Sequence, residues 1–186
     1  EEISNSGSFS NRSVIYLNGA SHFVFDNLEV NAKGTGNGTR CFTIGNNSDS
    51  NTISNSHLIV SSYTGRSNST AYIAFSGSLT SRRSGNHGSN NLITNNTLNN
   101  GSSISNNGPY YGIDDYRDSR VRGVGNSIIS NKIEDYRADG VYCYYVDGFI
   151  INQNTLNRSQ IPLSIPSPYW WGGDQYPECH DITIVA

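Results

Sequence analysis

Methionine is missing from the 186 residues, and lysine occurs only at Lys33 and Lys132. No signal peptide opens the chain, so it reads as a processed or excised piece. The net charge of −3 is too weak to give general affinity for nucleic acid. No run is apolar for long enough to cross a bilayer, so no membrane insertion is expected. Cysteine is limited to Cys41, Cys143 and Cys179, without a metal-binding spacing. For Cys143 and Cys179, in adjacent repeats, two readings stand: a bridge in an oxidising compartment, or buried thiols. His22, His57, His87 and His180 lack ligand spacing and read as structural or solvent-facing. There is no nucleophile elbow and no phosphate-cradling glycine loop. Alanine and lysine are too scarce for long surface helices.

Apolar residues make up only 34% of the chain, a level that disordered chains share. Twelve Tyr, six Phe and two Trp exceed what a disordered linker carries. The apolar residues are also periodic. One phrase returns five times: Phe23 to Leu28, Ile53 to Leu58, Ile93 to Leu98, Ile128 to Ile133 and Ile151 to Leu156. Each opens on an apolar residue and closes on Leu or Ile. Two before the close stands a small polar residue: Asp26, Ser56, Asn96, Asn131 and Asn154. A partial copy, Ile182 to Val185, follows near the end.

A second apolar phrase precedes each copy: Val14 to Leu17, Cys41 to Ile44, Tyr72 to Phe75, Tyr111 to Ile113, Val141 to Tyr144 and Leu163 to Ile165. A unit recurring at about 20–50 residues that cannot bury its apolar face alone is a solenoid unit. The flanking Asn, Ser, Thr and Gly favour turns. These features predict an all-β fold, a single-stranded parallel β-helix of about six coils, right-handed as is common. Like residues would stack about 4.8 Å apart, with the Asn column forming a hydrogen-bonded ladder at a bend.

Residues 1–13 carry little pattern and read as a leader segment; 14–186 form the β-helix domain, with both ends expected to be uncapped. Long insertions follow the second phrase: Ser76 to Gly88, Asp114 to Gly123 and Pro166 to His180, but only Tyr145 to Gly148 in the fifth coil. Insertions at one register emerge from one edge, often the binding face. Asn-x-Ser/Thr sites occur at Asn11, Asn37, Asn46, Asn68, Asn95, Asn100 and Asn157, in numbers that this composition yields by chance.

The phrases Val14 to Leu28 and Ser89 to Leu98 resemble the right-handed parallel β-helix repeat family. They look most like its Asn-rich secreted or surface proteins of the Bacteroidota type. The resemblance implies a secreted or cell-surface location and a frequent link with polysaccharide. Gly112-Ile-Asp114-Asp115 is similar to the paired aspartates of polygalacturonases, but no Asn-Thr-Asp phrase precedes it and no His-Gly or Arg-Ile-Lys phrase follows it. Lyases of this fold use calcium held by an acidic cluster with a basic residue; Asp114, Asp115, Asp118 and Asp139 offer oxygens, and Arg117 or Arg120 a base.

The candidate ligand-binding surface gathers Arg82, Arg83, Tyr110, Tyr111, Asp118, Arg120, Arg122, Asp139, Tyr142, Tyr144, Tyr169, Trp170, Trp171 and Asp174. Aromatic faces stack on sugar rings, while Arg and Asp fix hydroxyl and carboxylate groups. Against this stand plain alternatives: inward tyrosines, a self-paired Arg/Asp hairpin tip, and a Trp pair that covers the last coil. The first reading is a polysaccharide-binding module. The second is a structural or adhesive module whose partners are copies of itself or flanking coils. The third is a polysaccharide lyase or hydrolase using Asp114, Asp115 and Arg117, without a resident cofactor unless calcium serves.

Overall fold

Each repeat phrase folds across a corner rather than along one strand. The computed structural model describes residues 2–5, 13–34, 38–61, 69–79, 85–101, 108–117, 123–144, 146–158 and 183–185. Among them are nineteen strands and no helix. Sheet 1 contains β2 (Ser13–Asn18), β5 (Arg40–Gly45), β8 (Ala71–Phe75), β11 (Tyr111–Tyr116) and β15 (Asp139–Tyr144). Sheet 2 contains β3 (Val24–Asp26), β6 (Thr52–Ser54), β9 (Leu92–Thr94), β13 (Ser127–Ile129), β17 (Ile150–Asn152) and β19 (Thr183–Val185). Sheet 3 contains β1 (Glu2–Asn5), β4 (Glu29–Lys33), β7 (His57–Ser61), β10 (Thr97–Asn99), β14 (Lys132–Tyr136) and β18 (Thr155–Arg158). A short ladder pairs β12 (Gly123–Val124) with β16 (Val146–Asp147).

The chain visits sheets 1, 2 and 3 in rotation, and the strand pairs within them are parallel. This stacking fits a parallel β-helix. Glu2–Asn5, in the segment read as a leader, pairs in parallel with β4. β19, from the partial last copy, sets Ile184 beside Ile151.

Like residues stack as the pattern predicts. Ile53, Ile93 and Ile128 are register partners and fully buried, and Ile151 follows them. Val30, Leu58, Leu98 and Ile133 form a second buried column. Each such side chain contributes roughly 1.5–3 kcal/mol by leaving water. Sheet 1 supplies Phe42, Ile73 and Ile113 to the same core.

Two kinds of residue make the corners. Asn27, Asn55, Asn95, Ser130 and Gln153 hold positive φ between sheets 2 and 3. His22, Ser50 and Asn90, with Gly125 and Gly148, do so between sheets 1 and 2. Asn enters this left-handed region more readily than most residues. Directly after each except His22 comes an inward residue. At the second corner Ser56, Asn96, Asn131 and Asn154 form a ladder: each accepts a backbone N–H from the round before, at 2.9–3.1 Å. Asn51, Asn91 and Asn126 form another ladder at the first corner, at 2.8–3.0 Å.

The first repeat copy sits two residues from where its spelling puts it. Phe25, not Phe23, pairs with Ile53, and Val30, not Leu28, pairs with Leu58. Phe23 is 53% exposed. Asp26 is therefore not a ladder member; it accepts from Ser54 Oγ at 2.6 Å and Asn55 Nδ2 at 2.7 Å. Those bonds hold its carboxyl below the usual range. Leu28 takes the ladder position and offers only its N–H. Phe23 and Phe25 satisfy the same alternation, so only the strand pairing separates them.

Long connections also fall on two borders, where one was expected. Residues 62–70 and 100–110 lead from sheet 3 into sheet 1, while 76–91 and 117–126 lead from sheet 1 to sheet 2. Both borders flank sheet 1.

Candidate ligand-binding face

Strand alternation gives sheet 1 an outer face as well as a core face. Thr43, Ala74, Asp114 and Tyr142 are register partners in one outer column, and Tyr111, the partner of Ala71 and Asp139, joins it through its ring contact with Tyr142. Tyr116 and Tyr144 are partners in the next column. Ala71, Ala74, Tyr111 and Ala138 cluster with Tyr110 and Tyr142, apart from the main core.

Five tyrosine rings run unbroken across this face. Tyr110 meets Tyr111 edge-on at 4.9 Å, and Tyr111 meets Tyr142 at 5.0 Å. Tyr142 meets Tyr116 at 5.8 Å, and Tyr116 meets Tyr144 at 4.9 Å. Tyr111 is nearly covered; the other four are half-buried and keep part of each ring in solvent. Tyr116 belongs to this surface although sequence reasoning did not single it out. Its two-residue spacing from Asp114 on one strand was the available signal. Asp114 is 2% exposed, between the register partners Ala74 and Tyr142. Asp139 is half-buried beside Tyr111.

The lower part of the face is covered by the chain itself. After β8, Ser76–Ser78 fold back over it. Tyr16 Oη donates to Gly77 O at 3.1 Å, and Arg40 Nη1 donates to Ser78 O at 3.3 Å. Arg40 Nε also donates to Ser69 O at 3.1 Å, so this cation is fully buried yet bonded. Gly45 permits the approach: a Cβ there would stand 2.0 Å from Ser76 O. The open aromatic part therefore lies on β11 and β15.

Asp115 and Arg117 do not join this face. Asp115 occupies the inner column of Leu17, Ile44, Phe75 and Cys143, a carboxylate where hydrophobes otherwise stand. Arg117 Nε and Nη2 grip its two oxygens at 2.7 and 2.8 Å, and His87 Nδ1 lies 2.8 Å from Oδ1. Exposures are 3% for His87, 0% for Asp115 and 1% for Arg117. Burial pushes the Asp115 carboxyl up, but the Arg117 charge and the bonds from His87 and Arg117 hold it below the usual range. The cluster pins the 85–91 segment to β11; Arg117 Nη2 also donates to Gly88 O at 3.1 Å. The alternation Ile73-Ala74-Phe75 over Ile113-Asp114-Asp115 marks Asp115 as inward. Its partner His87 comes from an insertion and had no such signal.

Arg82, Arg83, Asp118, Arg120, Arg122, Tyr169, Trp170, Trp171 and Asp174 lie outside the described residues, as does Cys179. Cys41 is sealed in the core, and burial pushes its thiol up to about 12. Among the described residues no three His, Cys, Asp or Glu side chains are grouped to hold a metal, and no helix is long and apolar enough to cross a membrane. No family model, curated protein or solved structure matches the chain.

Proposed function

We propose that the chain is a right-handed parallel β-helix of about six coils, secreted or displayed at a cell surface, that holds polysaccharide against the outer face of sheet 1. Right-handedness follows the strong preference of crossovers between parallel strands of one sheet. The observation that carries the binding reading is the tyrosine run Tyr110, Tyr111, Tyr142, Tyr116 and Tyr144. Tyrosine offers an apolar ring with a polar tip, suited to the C–H faces and hydroxyls of a sugar.

The test is a glycan array probed with the wild-type chain and with Tyr142→Ala. Binding to at least one glycan, weakened in the variant, is expected. Binding to none removes the reading.

A structural or adhesive role is the second reading, favoured by the way the rings stack upon one another. A lyase or hydrolase reading draws little support, because Asp115 and Arg117 are sealed in an ion pair.

A further inference from the structure

We propose that Tyr116 and Tyr144 are an oxidative cross-linking site, coupled ring to ring when a peroxidase-class oxidant reaches the face. The pair is selected by geometry within the five-ring run. Tyr111 is only 5% exposed and shielded from an oxidant. Tyr110 meets it edge-on, at 73°. Tyr116 and Tyr142 are the widest-spaced contact, at 5.8 Å. Tyr116 and Tyr144 stand 4.9 Å apart with planes 31° from parallel, and both are half-buried, with part of each ring open to solvent. They are register partners on adjacent strands, so the backbone holds them at the strand spacing before any reaction.

The chemistry balances with hydrogen peroxide as terminal oxidant. Each phenol gives one electron to the peroxidase and its hydroxyl proton to solvent. The two phenoxyl radicals join through the ring carbons beside the oxygens, forming one C–C bond. The hydrogen on each joined carbon then moves to its own oxygen and restores both phenols. Peroxide takes up the two electrons and two protons and becomes two waters. The link staples β11 to β15 and restricts the unfolded chain, as a disulfide would. The site needs no glycan and stands apart from the binding reading.

The experiment treats the chain with peroxidase and hydrogen peroxide, then trypsin. Cleavage after Arg117 and Arg137 separates Tyr116 from Tyr144. One linked peptide pair, lighter by two hydrogens than its parts and fragmenting at Tyr116 and Tyr144, is expected, with dityrosine fluorescence and a raised melting temperature. Tyr116→Phe and Tyr144→Phe, which keep the ring packing, should each abolish that pair, and Tyr142→Phe should leave it. The proposal is overturned if no link forms while free tyrosine couples in the same tube. Chiefly intermolecular products, or the same linked pair in Tyr116→Phe, would overturn it too.

Discussion

Asn131 Oδ1 accepts twice from Asn96, from its backbone N–H at 3.0 Å and from its Nδ2 at 3.0 Å. Asn96 Nδ2 also donates to Ile53 O at 2.9 Å, and Asn96 Oδ1 accepts from Ser56 N–H at 2.9 Å. One side chain thus satisfies two buried backbone groups of the round before. Asn96→Leu leaves the Ser56 N–H and the Ile53 carbonyl without these partners, at a cost of about 3 kcal/mol. The melting temperature should fall by about 6–12 °C. Thr94→Ala, on the outer face of sheet 2, should stay within about 0.5 kcal/mol. Equal effects from the two would contradict the ladder's role.

The Asp115–Arg117 pair predicts an acid limb in stability. The folded carboxyl lies below its unfolded value of about 3.9, so its contribution is present above that value. It is lost as pH falls from about 4 through the depressed folded value. Urea midpoints measured from neutral pH down to pH 3 should show the drop. Asp115→Asn should destabilise by about 3–5 kcal/mol at neutral pH, by leaving Arg117 buried and unpaired, and should flatten that limb. An unchanged limb in the variant would assign the acid response elsewhere.

The register of the first round is testable by two phenylalanines. Phe25 packs edge-on against Phe42 at 5.4 Å, whereas Phe23 is 53% exposed. Phe25→Ala should cost at least about 2 kcal/mol more than Phe23→Ala in chemical unfolding. The reverse order would restore the spelling-based alignment.

Cys41 should resist alkylation in the folded chain near pH 8, since burial raises its thiol to about 12 and removes thiolate. Peptide-level mass spectrometry should find it labelled only after unfolding. Labelling at the rate of a free thiol in native conditions would show that the core opens there.

What the sequence made legible follows from periodicity. Ile53, Ile93 and Ile128 repeat on one side of short strands, and stacking is the only way to bury them. The ladder at Ser56, Asn96, Asn131 and Asn154 was legible for the same reason. The sequence did not reveal which residue turns each corner, because Asn fills both the left-handed position and the inward one, as in Asn95-Asn96. Nor did it reveal how Asp115 is neutralised in the core, since its partners come from the 85–91 segment and the end of β11. The tyrosine face was half legible. Tyr142 and Tyr144 share a side by alternation, but their contact with Tyr110, Tyr111 and Tyr116 depends on register between strands.

The most direct test of the binding account is nuclear magnetic resonance of the chain with ring-labelled tyrosine, titrated with the array-selected oligosaccharide. Saturable shifts confined to Tyr110, Tyr116, Tyr142 and Tyr144 are predicted, with Tyr72, buried in the core, unmoved. Shifts that spare these four rings while the oligosaccharide binds would contradict it.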